Sequence, residues 1–273
     1  MTVQRFSFLM MAIMATNIEV LKAQNVPEAI EDNSFFIEEA YNQEPRVIQH
    51  ITNTIYTMSP EHDFLFTFTQ EWPVTTETHQ LSYTFSYLSL TSNLYNGIGD
   101  LIINYRYQLF TKASWAAMAP RLSLIVPTGD DNRGLGNGVV GVQVDIPASK
   151  RLTDRLVAHV NAGATVLPSV KGVTTASGEV KQTLVSYAFG GSVIWLAGRY
   201  DNIFVETLYN IQSSISGSGA VERNSAVVLN PAYRRAIEMG DLEVVPGLGI
   251  PITFSNASST IGLFFYLSFE HPY

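Results

Sequence analysis

LIINYRYQL, from Leu101 to Leu109, decides the class of fold. Leu101, Ile103, Tyr105, Tyr107 and Leu109 fall on one side of an extended chain and Asn104, Arg106 and Gln108 on the other, because successive side chains of a strand point to opposite faces. The pattern recurs on both sides of this stretch. Phe64, Phe66 and Phe68 alternate with Thr67, Thr69 and Glu71, and Leu81, Tyr83, Phe85 and Tyr87 with Ser82, Thr84 and Ser86. Further on, Val140 to Ile146 alternates with Gln143 and Asp145, Leu156 to Ala162 with His159 and Asn161, and Ile261 to Phe269 with Tyr266 and Ser268. About twelve such segments follow Pro45, starting near Val47, Phe64, Gln80, Asp100, Trp115, Val139, Arg155, Lys181, Asn202, Ser225, Asp241 and Thr260; each has roughly the 9 to 11 residues of a tilted membrane strand and exceeds the ~5 to 6 of an ordinary one.

Alternation alone does not say whether the apolar face meets a soluble core or lipid. Composition helps. Of 273 residues, 46% are apolar and only 15% charged, against about 25% charged in soluble domains, so part of the surface is covered by something other than water. The links help as well. Long links are expected near 59–63, 91–99, 128–138, 168–180, 214–224 and 255–259, and short ones near 74–79, 111–114, 150–154, 198–201 and 236–240, as in outer-membrane barrels with long outer loops and short periplasmic turns. Trp72, Trp115 and Trp195 fall at the periplasmic ends, where an aromatic belt belongs, with Trp115 out of phase and expected to point inward. The expected fold is all-β: a transmembrane antiparallel up-and-down barrel of about twelve strands in a bacterial outer membrane.

The chain divides into three parts. Residues 1–23 read as a secretory signal, with Arg5, the apolar run Phe6 to Ala15 and a cleavage position at Ala23. Residues 24–45 form an N-terminal segment expected in the periplasm or lining the mouth of the barrel; as a plug, the alternative, it would set Glu38, Glu39 and Glu44 against luminal arginines. Residues 46–273 make the barrel. Sixteen Lys and Arg against 24 Asp and Glu give a net charge of −8, which excludes a nucleic-acid partner. Without cysteine there is neither a disulfide nor a thiolate metal site.

An Arg at the bilayer midplane costs roughly 2 to 4 kcal/mol, so Arg106, Arg121 and Arg234 are expected to face the lumen. By parity Asp145, His159, Asn161, Glu206 and Glu243 join them, and three cations facing three anions suggest a charge-paired interior. His159 is also the candidate base of a lipid-acting hydrolase, with Ser123 or Ser186 as nucleophile; neither serine sits in an activating motif, and no catalytic residue, metal or cofactor is assigned. The glycine-rich stretch PTGDDNRGLGNG, Pro127 to Gly138, reads as a flexible outer loop whose Asp130 and Asp131 could hold a surface cation weakly.

IEEAYNQE (37–44), FTQEWPV (68–74), HQLSYT (79–84), GDLIINYRYQL (99–109), APRLSLIVPTGD (119–130), HVNAGAT (159–165) and the terminal FEHPY (269–273) resemble, in order, the outer-membrane transporters grouped as the "MetA-pathway of phenol degradation" family. The resemblance implies a porin-like barrel and transport of a small solute, with hydrophobic and aromatic molecules inside the expected class. The aromatic end of the chain, at Tyr273, resembles the signal read by the barrel-assembly machinery. The expected partners are therefore outer-membrane lipids, that machinery and a small solute. A structural barrel without transport is the remaining alternative.

Overall fold

The computed structural model describes residues 30, 32–59, 62–91, 95–174, 178–256 and 258–273. The expected signal over 1–23 lies outside them. The strand segments build one sheet of twelve antiparallel spans that closes on itself. In chain order these are β1 (Val47–Ser59), β2 (Phe64–Val74), β3 (Thr76–Leu90), β4 (Tyr95–Ile98 and Leu101–Tyr107), β5 (Ala117–Met118 and Arg121–Val126) and β6 (Gly141–Thr153). Then come β7 (Leu156–Thr174), β8 (Gly178–Leu196), β9 (Asp201–Ile215), β10 (Val221–Arg235, continued by Ile237–Met239), β11 (Leu242–Gly249 and Ile252–Ser255) and β12 (Ser259–Pro272). Each pairs with its neighbours in sequence, and β12 returns to β1, from Val47 opposite Pro272 to Thr57 opposite Gly262. Closure of the ring leaves no strand at an open edge within it, which hydrocarbon would not tolerate; the β7–β8 hairpin runs on past its outer neighbours, beyond Val166 and before Tyr187.

The two faces separate as the alternation requires. Outside, Tyr105 is 38%, Val142 43%, Val160 54% and Phe265 47% exposed, with no second layer formed over them by the described residues; Phe66, on the same face of β2, is half-buried. Inside, Arg234, Glu206 and His159 are almost fully buried. The arginines are inside and the aromatic and aliphatic side chains outside, the inverse of a soluble protein.

Several links differ from expectation. The outer loop expected over 168–180 is mostly strand, because β7 and β8 pair up to Thr174 and Gly178 and each runs for 19 residues. The turn expected at 111–114 opens to 108–116, longer than most outer loops, so long and short links alternate imperfectly. Trp115 lies in that turn and not in a strand; it is 84% exposed, with the Lys150 ammonium 3.5 Å from its ring centroid, and does not point inward. The glycine-rich loop is folded. Asp100 accepts hydrogen bonds from the Gly129 and Asn137 amides and the Asn137 side chain at 2.7 to 3.0 Å, Leu135 is buried, and Asp130 pairs with Arg133 at 3.1 Å.

The outward face gives a direct test. Val160 lies four residues from the turn-side end of β7. Val160→Arg should cost about 2 to 4 kcal/mol of unfolding free energy in urea titrations in lipid vesicles, whereas Val160→Leu should change it little.

Candidate functional site in the barrel lumen

The lumen is occupied. Residues 32–43 run through the half of the barrel nearest the termini and the short turns, with Asp32, Ser34, Ile37 and Ala40 almost without exposed surface. Of the segment 24–45, expected in the periplasm or along the mouth with a plug as the alternative, residues 32–43 lie inside the wall, and 24–29 and 31 lie outside the described residues. Two kinds of contact explain this.

The first is apolar shape. Phe35 stacks on Phe264 and Tyr266, at 4.9 Å between centroids, and meets Phe204 edge-on at 5.0 Å. The wall is cut to receive it. A Cβ on Gly247 of β11 would stand 2.5 Å from the Phe35 ring, and one on Gly190 of β8 would stand 2.4 Å from Ile37 Cδ1. Only glycine at these two inward positions leaves that space.

The second is hydrogen bonding to the segment's backbone. It pairs with no strand, so its peptide groups need side-chain partners. Glu206 Oε1 accepts from the Phe36 and Ile37 amides at 2.8 and 3.1 Å, while Oε2 accepts from Asn230 at 2.7 Å. Arg234 donates to the carbonyls of Ile30, Asp32 and Asn33 at 3.1, 2.8 and 2.5 Å, and to Asn202 Oδ1. Arg106 donates to the Glu39 and Tyr41 carbonyls and to Asn42 Oδ1. Ser149 Oγ accepts from the Ala40 amide at 2.7 Å, and the Gln108 and Gln80 side chains accept from the Asn42 and Gln43 amides. Asp32 is held by the hydroxyls of Tyr266 and Ser268.

The residues singled out by parity are distributed through this arrangement as follows. Arg106, Arg234 and Glu206 grip the segment's backbone. Arg121 forms an ion pair with Glu38 at 2.7 Å and donates to Asn104 and Ser123. Asp145, opposite Arg121 in the ladder, accepts from Asn161 at 2.8 Å. Glu243 is half-buried at the turn-side end of β11, opposite Glu270. Two of the three guanidiniums end on peptide carbonyls of the inserted segment and the third on one of its carboxylates, with the wall carboxylate Asp145 directly opposite Arg121. His159 is bonded to Ser149 Oγ at 2.6 Å, not to Ser123 or Ser186. Both members of that pair are 2% exposed, and Ser149 is engaged with the Ala40 amide.

Sequence reasoning missed Gln80, Ser149, Asn202, Asn230 and Ser268, which share inward parity with the arginines and were open to the same reading. It also missed Asp32 and the two glycines, whose partners lie far away in the chain. Beside residues 33–38 a cavity of about 150 Å³ remains against β1–β5, reached by Arg121, Glu38 and Glu71.

Comparison with protein-family models and with curated proteins found no match. Among solved structures, the NanC porin aligns with TM-score 0.50 and 9% identity over 82% of this chain and 100% of its own. The KdgM porin gives 0.48 and 11% over 83% and 99%, and the CymD monoaromatic hydrocarbon channel 0.46 and 9% over 85% and 89%. This is an outer-membrane barrel fold. The likeness to the NanC porin extends to the architecture, and the apolar outer belt and polar interior described above are what such a membrane demands.

Two substitutions should loosen the inserted segment by different routes. Arg234→Ala removes charge-assisted bonds worth about 1.5 to 3 kcal/mol each, and Gly247→Val collides with Phe35. Each should raise the rate of protease nicking within residues 32–45 by about tenfold or more, read by mass spectrometry on the folded barrel. The exposed Arg223→Ala should leave the rate unchanged.

Proposed function

We propose that the protein is an outer-membrane channel for a small solute, held shut by its own residues 32–43. The observation that carries this reading is the mode of attachment: the segment fills the turn-side lumen yet shares no strand ladder with the wall. It is held by separate side-chain contacts, each worth about 0.5 to 3 kcal/mol, and can leave without opening the barrel. A segment whose only task was to fill the interior could have been replaced by larger wall side chains, as in small filled barrels. The porin fold shared with NanC supports the reading, as does the resemblance of the quoted segments to the "MetA-pathway of phenol degradation" transporters.

The solute class is narrowed by the lining. Thr69, Thr84, Ser82 and Asn104 face the remaining space together with Glu71 and Arg121, which favours a hydrophilic solute over the hydrophobic or aromatic one raised by the sequence. Lipid covers the outer belt. Insertion through the assembly machinery fits a last strand that pairs as far as Pro272, with the Tyr273 amide bonded to the Arg46 carbonyl at 2.9 Å.

Planar-bilayer recordings test the proposal. The intact chain should be silent or open rarely, and deletion of residues 32–45 should raise mean conductance by about an order of magnitude or more. A deletion variant that keeps the heat-dependent gel shift of a folded barrel and conducts no better than the intact chain would overturn it.

A further inference from the structure

Residues 32–43 bring Asp32, Glu38 and Glu39 into the lumen and no Lys, Arg or His. Among the described residues, the wall against which they pack sets Glu71, Asp145 and Glu206 against Arg106, Arg121 and Arg234. That wall is matched in charge, and the segment tips the bore to acid. The guanidiniums are then shared: Arg234 acts electrostatically on both Asp32 and Glu206, and Arg121 on Glu38, Asp145 and Glu71. At the turn-side mouth the half-buried Glu243 stands opposite Glu270, and the exposed Lys112 lies 5.1 Å from the Tyr41 ring centroid.

The sharing is closest at Arg121. With the segment seated, its Nε and Nη2 form a fork on Glu38 at 3.0 and 2.7 Å, and its Nη1 donates to Asn104 and Ser123. Asp145, directly opposite Arg121 in the β5–β6 ladder, takes its hydrogen bond from the Asn161 amide at 2.8 Å. It is 8% exposed and feels Glu38 of the segment as well as Arg121 of β5 and Arg106 of β4, while His159, two residues along β7 from Asn161, is bonded to Ser149. The side-chain oxygen of Asn161 is itself buried without a hydrogen-bond partner, so a half-turn of that amide offers a carboxyl proton an acceptor.

Two carboxylates on one guanidinium repel each other, the more so where the seated segment excludes water, and a single proton on one of them removes the repulsion. When the segment leaves, it carries Glu38 away and frees the Arg121 fork for Asp145. We propose that seating of residues 32–43 takes up a proton, held at Asp145, so that acid closes the bore and alkali releases it. The closed state binds the extra proton, so its share falls as pH rises. The inference rests on the reading of the segment as a releasable closure and names the signal that moves it.

The chain has no cysteine, so a single introduced thiol reports on the segment. Ser34→Cys places it where the serine has no exposed surface, and Ser258→Cys, on an exposed outer link, gives the intrinsic reactivity at each pH. The ratio of their labelling rates with a neutral maleimide, on the full folded barrel, reads release of the segment and not current. Its failure is therefore distinguishable from failure of the channel reading, which conductance tests. The ratio should rise about tenfold or more between about pH 5.5 and about pH 8.5, as release of one proton implies. Asp145→Asn should hold it within about threefold of its acid-side value across that range, and Glu222→Gln, at the exposed end of β10, should leave the rise intact. A ratio that stays level or falls as pH rises, or a full rise in Asp145→Asn, would overturn the proposal. If Asp145→Asn lacks the gel shift of a folded barrel, Glu38→Gln decides, since it removes the same repulsion from the segment's side and must flatten the rise.

Discussion

Arg234 has no exposed surface, and its guanidinium ends on three peptide carbonyls of the chain's own N-terminal segment. The rest of the interior follows from that constraint. A charge turned away from hydrocarbon is safe only if something inside the barrel replaces water around it. Here the replacement is a stretch of backbone with no strand partner of its own. Wall and segment are therefore each incomplete alone: Glu206 needs the Phe36 and Ile37 amides as much as those amides need Glu206.

The apolar contacts add direction to this mutual requirement. Hydrogen bonds to peptide groups would accept many sequences, since every residue but proline offers the same N–H and C=O. Gly190 and Gly247 do not, because each leaves a recess shaped for one neighbour, Ile37 or Phe35. Register within the lumen is thus set by two side chains and adhesion by the main chain, the division of labour seen where extended peptides add to a receptor, here without a strand edge.

Which side of each strand faces inward was legible in the sequence, because a period of two leaves no other choice once lipid is the outer medium. Arg106, Arg121 and Arg234 follow from that, and Gln80, Asn202 and Asn230 would have followed by the same rule. The partners were not legible. Asp32 meets Tyr266 and Ser268 across more than 230 residues of chain, and no local pattern encodes such a contact. The position of residues 32–45 was the main casualty: an acidic stretch beside basic wall residues is compatible with a tail, a rim or a filling, and only the recesses at Gly190 and Gly247 distinguish them. Loop lengths failed for a simpler reason. The polar residues of 168–180 read as a loop, but a hairpin beyond the membrane needs no apolar face, so β7 and β8 continue there.

The seam between β1 and β12 carries a consequence for biogenesis. Arg234, Tyr266 and Ser268 lie on the last quarter of the chain, so the leading residues have no berth until the trailing strands have been made and the ring has been sewn shut. A half-built ring offers residues 32–43 only scattered fragments of their eventual seat. The seat is complete only when β12 has joined β1, because Tyr266 and Ser268, which hold Asp32, stand on that strand.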